Sequence, residues 1–170
     1  MKVTLYIAQS LDGYVASKNG SVSWLDEFSN TGEDYGYKSF IDSVDTVTQG
    51  YTTYKQFEDK HAGKNSYVFT NDLDREVVDG VTFVKGSTKK FIDGLDKNTH
   101  KHVWLVGGPN LLAAFLNENQ VDELVLFTMP VFLRDGIPLF GNLKTAPTVS
   151  LLSTKKYING VVELHYAVKK

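Results

Sequence analysis

The segment 102–112, HVWLVGGPNLL, constrains the fold of this chain more than any other stretch. An apolar run at 103–106 meets the glycine pair Gly107-Gly108, after which Pro109 opens a leucine-rich segment. The run predicts a buried strand, and the proline followed by leucines predicts the first turn of a helix. At such a junction the free N–H groups and the helix dipole favour an anion. The same pattern also occurs as plain packing, so this segment alone leaves both interpretations open.

Strand and helix patterns alternate through the first two-thirds of the chain. Apolar and β-branched runs predict strands at 2–9, 44–49, 66–70, 81–84, 102–106 and 121–128. Helical spacing predicts helices at 34–43, 52–57 and 109–117, and a further helix through Leu95 with Ser87 as its N-cap. This alternation is typical of an α/β fold with parallel pairing and right-handed crossovers.

The C-terminal part predicts a different arrangement. Two long strands, at about 148–157 and 161–169, are joined by Asn159-Gly160, which is the strongest short-range signal for a hairpin. We therefore predict one domain over residues 1–170, with a mixed, mostly parallel central sheet flanked by helices and a C-terminal antiparallel hairpin. Residues 18–33 form the longest irregular stretch, as expected of a lid or binding loop.

Composition and charge exclude several classes of function. The formal net charge of −2 offers no support for a nucleic-acid partner or an anionic membrane surface. The chain contains no cysteine, which excludes disulfides and fits a reducing cytoplasm. No apolar run approaches the roughly 20 residues that span a bilayer. His100 and His102 have no evident third ligand, so we predict no metal site.

Five short motifs follow one another in a characteristic order. They are SLDGYVA at 10–16, QGYTTY at 49–54, VTFVKGS at 81–87, VWLVGGPNLL at 103–112 and VDELVLFTMPVFLRDGIPLF at 121–140. In this order the chain resembles the dihydrofolate-reductase-like superfamily over nearly its whole length. Within that superfamily it is similar to small stand-alone proteins that correspond to the C-terminal reductase domain of bifunctional riboflavin-biosynthesis enzymes. The resemblance implies NADPH binding across the carboxyl ends of the sheet strands, where ligands of open α/β sheets bind.

The resemblance also implies which residues contact the cofactor. The residues are Ala8 and Gly13 along the nicotinamide end, Gly50, Tyr51 and Thr53 in a motif whose Thr53 meets a phosphate, Thr70, Asn71 and Lys85 on the adenosine side, and Gly107, Gly108, Pro109, Asn110 and Leu111 at the diphosphate. Tyr51 stands where the family has an arginine that helps to hold the adenosine 2′-phosphate. This difference leaves NADH as an alternative to NADPH. Lys85 is the nearest remaining cation for that phosphate, or else a solvated loop lysine.

The residues that perform the chemistry are less clearly marked. Dihydrofolate reductases carry an acid a few residues after a tryptophan, but here the matching position falls near Ser29, with Asp26 and Glu27 close by. Arg134 suits a substrate phosphate through its guanidinium, or is a solvated loop residue. Asp12 either acts in catalysis or orients a loop through backbone N–H groups. The candidates are Asp12, Asp26 and Glu27 for catalysis, and Trp24 and Arg134 for the substrate.

The function implied is NADPH-dependent reduction of a small heterocyclic or sugar-amine substrate. It resembles the reduction of 5-amino-6-(5-phosphoribosylamino)uracil in riboflavin biosynthesis, where a positioned hydride is the main requirement. Two alternatives stay open, a dihydrofolate reductase and a nucleotide-binding protein without turnover. Relatives commonly form homodimers, and the C-terminal hairpin offers an edge for such pairing.

Overall fold

The computed structural model describes residues 1–58, 61, 63–74 and 78–170. The strands are β1 (Lys2–Ser10), β2 (Tyr14–Ser17), β3 (Thr46–Gly50), β4 (Asn65–Phe69), β5 (Val81–Val84), β6 (His102–Gly107), β7 (Glu123–Met129), β8 (Gly136–Pro138), β9 (Val149–Lys156) and β10 (Val162–Val168). The α-helices are α1 (Asp26–Ser29), α2 (Tyr37–Ser43), α3 (Tyr51–Phe57), α4 (Thr88–Gly94) and α5 (Pro109–Asn117), and a 3₁₀ helix covers Ser23–Leu25. Among the described residues, no helix has the length and apolar character needed to cross a membrane.

Eight strands form the central sheet, in the order β5-β4-β3-β6-β1-β7-β10-β9. The first six are parallel to one another, whereas β10 is antiparallel to both β7 and β9. The predicted mixed sheet and C-terminal hairpin are therefore confirmed, and Gly160 N–H donates to the Tyr157 carbonyl in the hairpin turn. Strands β3 and β6 are neighbours, but the chain continues from them in opposite directions across the sheet. After β3 it runs to β4 on one side, and after β6 it runs past β1 to β7 on the other side. Such a divergence opens a crevice at the carboxyl ends of the two strands.

The two faces of the sheet carry different cores because successive strand residues point to opposite sides. On one face, the aliphatic side chains of the central strands pack against α4 and α5, with Phe115 fully buried. On the other face, Phe40 and Ile41 of α2 cover Val47 and Trp104. Ser87 caps α4 as predicted, since its Oγ accepts a hydrogen bond from the Lys90 N–H.

A second, two-stranded sheet formed by β2 and β8 was not predicted from the sequence. Neither residues 14–17 nor residues 136–138 were among the strands predicted from the sequence patterns. The strands have only four and three residues, too few for a periodic pattern, and they pair across the chain. A side chain at Gly136 would collide with Ala16 and Tyr14, so glycine permits this close approach. The stretch 18–33 is likewise not wholly irregular, because it contains the 3₁₀ helix and α1.

Candidate functional site

A cleft of about 1380 Å³ runs along the carboxyl edge of the parallel strands. Residues from the ends of five strands line it: Ala8, Gly50, Phe69, Val106 and Met129. Pockets for drug-sized ligands typically measure about 300–1,000 Å³. The cleft therefore has room for a dinucleotide together with a second small molecule.

A glycine cradle, consisting of Gly50, Thr53, Gly107 and Gly108, lies where β3 and β6 end side by side. Gly107 has a φ of 124°, which L side chains rarely adopt, and the Gly107-Gly108 peptide is cis. A Cβ atom on Gly50 would lie 3.8 Å from the Gly107 carbonyl oxygen, and one on Gly108 would lie 3.3 Å from Thr53 Oγ1. Side chains at these glycines would therefore narrow the space between the two strand ends.

Helix α5 begins at the cradle, with Pro109 in its first turn. Its earliest internal hydrogen bond runs from the Leu112 N–H to the Gly108 carbonyl. By helical geometry, the N–H groups of Asn110 and Leu111 then have no carbonyl partner inside the helix. Both residues line the cleft, as do Gly108 and Thr53. Backbone donors, a hydroxyl and a helix dipole thus converge where a diphosphate would be stabilised.

On one side of the cradle, the cleft is lined by the residues that follow β4. Thr70, Asn71 and Asp72 belong to this wall. The Asp72 N–H donates to Thr70 Oγ1 at 3.2 Å, and Asp72 Oδ1 accepts the Asp74 N–H at 3.1 Å, which holds the segment in a tight turn. Among the described residues of the cleft wall, Asp72 is the one carboxylate.

Lys85 was predicted as the nearest cation for the adenosine 2′-phosphate. Lys85 is exposed and does not belong to the wall, although its neighbour Gly86 does. Tyr51 does line the cleft, and its ring centroid lies 6.3 Å from those of both Tyr54 and Phe83. The phenol of Tyr51 is therefore part of an aromatic group over the outermost parallel strands.

On the other side of the cradle, the cleft deepens into an aromatic chamber. Its rings come from β1, α1, the region where α2 begins, β6 and β7: Tyr6, Phe28, Tyr35, Tyr37, Trp104 and Phe127. The ring centroid of Tyr6 lies 4.7 Å from that of Phe127 and 6.5 Å from that of Trp104, and Tyr37 lies 5.8 Å from Trp104. Centroid separations of this size are typical of favourable aromatic pairs. The chamber thus gives this part of the cleft an aromatic wall whose rings are largely packed against one another.

Hydrogen bonds hold the floor of the chamber in place. The Tyr6 hydroxyl donates to the Tyr35 carbonyl at 3.0 Å, and the Trp104 indole N–H donates to the Tyr6 carbonyl at 3.3 Å. Burial, with a further contribution from the charge of Glu163, raises the pKa of the Tyr6 phenol well above its ordinary value. Tyr6 therefore stays neutral at physiological pH. The sequence patterns predicted buried strands at Tyr6 and Trp104, and Trp104 is indeed buried in the core. Both side chains also line the cleft, which their alternation with Ala8 and Val106 along the strands could have indicated.

The carboxylate of Asp12 fastens two loops together. It accepts hydrogen bonds from the Ser10 hydroxyl at 2.6 Å and from the N–H groups of Leu133 and Arg134 at 3.1 and 2.8 Å. The Ser10 hydroxyl and these backbone donors lower the pKa of Asp12. The side chain lies at the base of the β2–β8 sheet, whose residues Ala16 and Ile137 line the cleft. Asp12 thus has the contacts expected of a group that orients a loop.

The remaining substrate and catalytic candidates do not line the cleft. Asp26 and Glu27 are exposed at the start of α1, whereas Leu25, Phe28 and Ser29 of the same region do line it. Trp24 packs beside the cluster formed by Phe28, Phe127 and Tyr157. Arg134 is exposed, with a φ of 66°, and meets Asp12 through its backbone N–H. Gly13 also lies outside the cleft wall, at the β1–β2 turn. Asp26, Glu27, Arg134 and Gly13 therefore lie outside the cleft wall, whereas Trp24 packs behind it, against the cluster that includes Phe28 and Phe127 of the aromatic chamber.

Comparison with known proteins gives a consistent result. The family model described as the RibD C-terminal domain matches residues 1–163. The uncharacterized protein YwjB of Bacillus subtilis is 38% identical, with 97% of each chain covered. A crystal structure of a putative riboflavin biosynthesis protein from Shewanella sp. PV-4 matches with a TM-score of 0.88 and 27% identity over 100% of both chains. Dihydrofolate reductase from Enterococcus faecalis, in complex with NADP(H), matches with a TM-score of 0.68 and 14% identity over 99% of this chain and 97% of that one, which shows the shared fold.

Proposed function

The chain belongs to the RibD C-terminal domain family, and on that premise we propose that it is an oxidoreductase. In this proposal a nicotinamide dinucleotide donates a hydride to a small molecule that contains a planar ring. The observation that carries the proposal is one continuous cleft lined both by Gly50, Thr53 and Gly108 of the glycine cradle and by the aromatic chamber. A cofactor and a substrate must meet in this way for direct hydride transfer.

The cradle fits the diphosphate of such a cofactor. Thr53 Oγ1 and the first N–H groups of α5 face the same space, and the bare Gly108 leaves that space open. From the cradle, Ala8 and Val106 lead along β1 and β6 to Tyr6 and Trp104 of the chamber floor. The cofactor supplies the hydride when bound, and the small side chain of Ala8 lets its nicotinamide ring lie close to the sheet.

The chamber fits a flat heterocycle, of the kind reduced in riboflavin biosynthesis. Tyr6, Trp104 and Phe127 would hold the ring by stacking and edge contacts. Because Asp12, Asp26 and Glu27 do not line the cleft, we assign catalysis to orientation and to the surrounding dipoles rather than to one of these acids. In this scheme the proton comes from water that enters the open side of the cleft.

Fluorescence titration tests the cofactor part of this proposal. The chain has two tryptophans, and the variant Trp24→Phe leaves Trp104, which lines the cleft, as the single reporter. We expect saturable quenching and a rise in melting temperature when NADH or NADPH is added to this variant. The absence of both changes at millimolar dinucleotide would contradict the proposal.

A panel of substrates tests the chemistry. Pyrimidine, pteridine and sugar-amine compounds are incubated with both dinucleotides, and oxidation of the cofactor is followed by absorbance. Rapid turnover of dihydrofolate would instead identify a dihydrofolate reductase. Binding of the dinucleotide without oxidation by any member of the panel would support a nucleotide-binding protein without turnover.

A further inference from the structure

We propose that Asn142, in the loop between β8 and β9, is a positioning residue for the cofactor diphosphate, because it holds the side-chain amide of Asn110 with its NH₂ group towards the cleft. The inference rests on the proposed dinucleotide site and adds to it a residue outside the five sequence motifs. The ligand group concerned is a diphosphate, whose oxygens are negatively charged and accept hydrogen bonds.

The loop between β8 and β9 is held at both ends. At its start, Leu139 is buried in the core, and its N–H donates to the Gly13 carbonyl at 3.0 Å. Further along, the side-chain oxygen of Asn117, in the last turn of α5, accepts the N–H groups of Lys144 and Thr145 at 2.9 and 3.2 Å. The segment between these two anchors is therefore restrained beside α5.

Between the anchors, Asn142 meets the first turn of α5. Its Nδ2 donates a hydrogen bond to Oδ1 of Asn110, which is the second residue of the helix. Both residues line the cleft. A Cβ atom on Gly141 would lie only 2.6 Å from Pro138 Cγ, so glycine permits the loop to fold this closely. The hydrogen bond thus joins the loop to the helix terminus beside the glycine cradle.

This hydrogen bond decides which end of the Asn110 amide is available to a ligand. A side-chain amide has an acceptor oxygen at one end and an NH₂ donor at the other, and the two ends exchange places when the group rotates by half a turn. With the oxygen held by Asn142, the NH₂ group is the end that is left for the cleft. A diphosphate needs donors there, because an amide oxygen turned towards it would repel its own oxygens. The NH₂ group would add to the backbone N–H groups at the start of α5.

Calorimetric titration of the full chain with NADH, NADPH and adenosine diphosphate measures the contribution of both residues, because all three ligands contain the diphosphate. For Asn110→Ala we expect about ten- to a hundredfold weaker binding, since a donor to a charged group is lost. For Asn142→Ala we expect about two- to tenfold weaker binding, since the freed amide of Asn110 spends only part of its time in the productive orientation. In the Asn110→Ala background, Asn142→Ala should have less than about a twofold further effect, because no amide is left to orient.

The variant Asn110→Asp separates positioning from a purely structural role. Its carboxylate can still accept the hydrogen bond from Asn142, and its charge stabilises the first turn of α5, so we expect an unchanged or higher melting temperature. It offers no donor to a diphosphate and repels it, so we expect at least about tenfold weaker binding of all three ligands. If the contact served only to attach the loop, this variant would keep the original affinity, and that result would overturn the inference.

Asn117→Ala is the matched control. Asn117 is the same residue type on the same helix and holds the same loop, but it does not line the cleft. We expect its affinity for the three ligands to stay within about twofold of the original, even where the melting temperature falls. Equal weakening in Asn117→Ala and Asn142→Ala would show that attachment of the loop, rather than orientation of the Asn110 amide, supports binding, and it would overturn the inference.

The outcomes separate this inference from the proposed function. Unchanged affinity for all three ligands in Asn142→Ala would overturn the role of Asn142 and leave the dinucleotide site intact. The same holds if this variant binds the two dinucleotides more weakly but adenosine diphosphate as before, because the loss would then lie at the nicotinamide end. Failure of both dinucleotides to bind the original chain would overturn the proposed function, and with it the inference.

Discussion

Substitution of Gly108 by alanine tests the glycine cradle with a single methyl group. The backbone of Gly108, with φ of −73° and ψ of −172°, is accessible to alanine without strain. The new Cβ would lie 3.3 Å from Thr53 Oγ1, so the Thr53 hydroxyl must shift by a few tenths of an ångström. Such a small adjustment in a cleft should change the free energy of unfolding by less than about 1 kcal/mol.

The effect on the cofactor should be larger. If the shift costs the diphosphate one hydrogen bond from Thr53, the loss is about 1.5–3 kcal/mol, because one partner is charged. That loss corresponds to about ten- to a hundredfold weaker binding of the dinucleotide. The affinity is measured by calorimetric titration, and the stability by urea unfolding of the same preparations.

Three variants make the comparison decisive. Gly94→Ala adds a methyl group in open space at the end of α4 and should leave the affinity unchanged. In the Thr53→Ala background the hydroxyl is already absent, so Gly108→Ala should have much less additional effect. Unchanged dinucleotide affinity in Gly108→Ala would refute the assignment of the cradle to the diphosphate. A loss of more than about 2 kcal/mol in stability would refute the claim that the methyl group acts locally.

Three further predictions concern other parts of the molecule. The Ser10 hydroxyl is the main group that lowers the pKa of Asp12 in the folded state. The ionised carboxylate therefore stabilises the fold above its ordinary pKa of 3.8, and this stabilisation is lost as the pH falls through the lower pKa of the folded state. The variant Asp12→Asn should be less stable than the original chain at neutral pH, and urea unfolding at about pH 3 should show a smaller difference. Phe115 is fully buried, so Phe115→Ala should lower the free energy of unfolding by about 3–5 kcal/mol in the same assay, and a loss below about 1 kcal/mol would contradict the described core. We also propose that two chains pair through β9, where Leu151 is 55% exposed; Leu151→Lys should shift light scattering from dimer to monomer, and an unchanged dimer would place the interface elsewhere.

Much of the fold follows from local sequence patterns. The period of two in the strands, the Ser87 cap and the Asn159-Gly160 turn each depend on residues that are close in the sequence. The same holds for the junction at Gly107-Gly108, where a strand meets α5. Such features could be predicted because the relevant interactions lie within a few residues of one another.

The layout of the site could not be predicted in this way. Asp26 and Glu27 were catalytic candidates because they lie close to the position of the acid that follows a tryptophan in dihydrofolate reductases, but the rotation of a one-turn helix decides that Phe28 and Ser29 line the cleft instead. It also overlooked the β2–β8 sheet, because the four-residue and three-residue strands have no periodic signal and depend on a long-range pairing.

The sequence by itself determined where most of the strands and helices lie, though not β2, β8 or α1, and that a glycine pair would end a buried strand. Only the tertiary structure decided that β3 and β6 are neighbours, which brings Gly50 and Thr53 to that pair. It alone decided that Tyr6 and Trp104 form one chamber floor, and that Asp72 lies on the opposite side of the cradle. The physical reason is that strand neighbours are chosen by the packing of the whole sheet, whereas patterns in the sequence report the preferences of single segments.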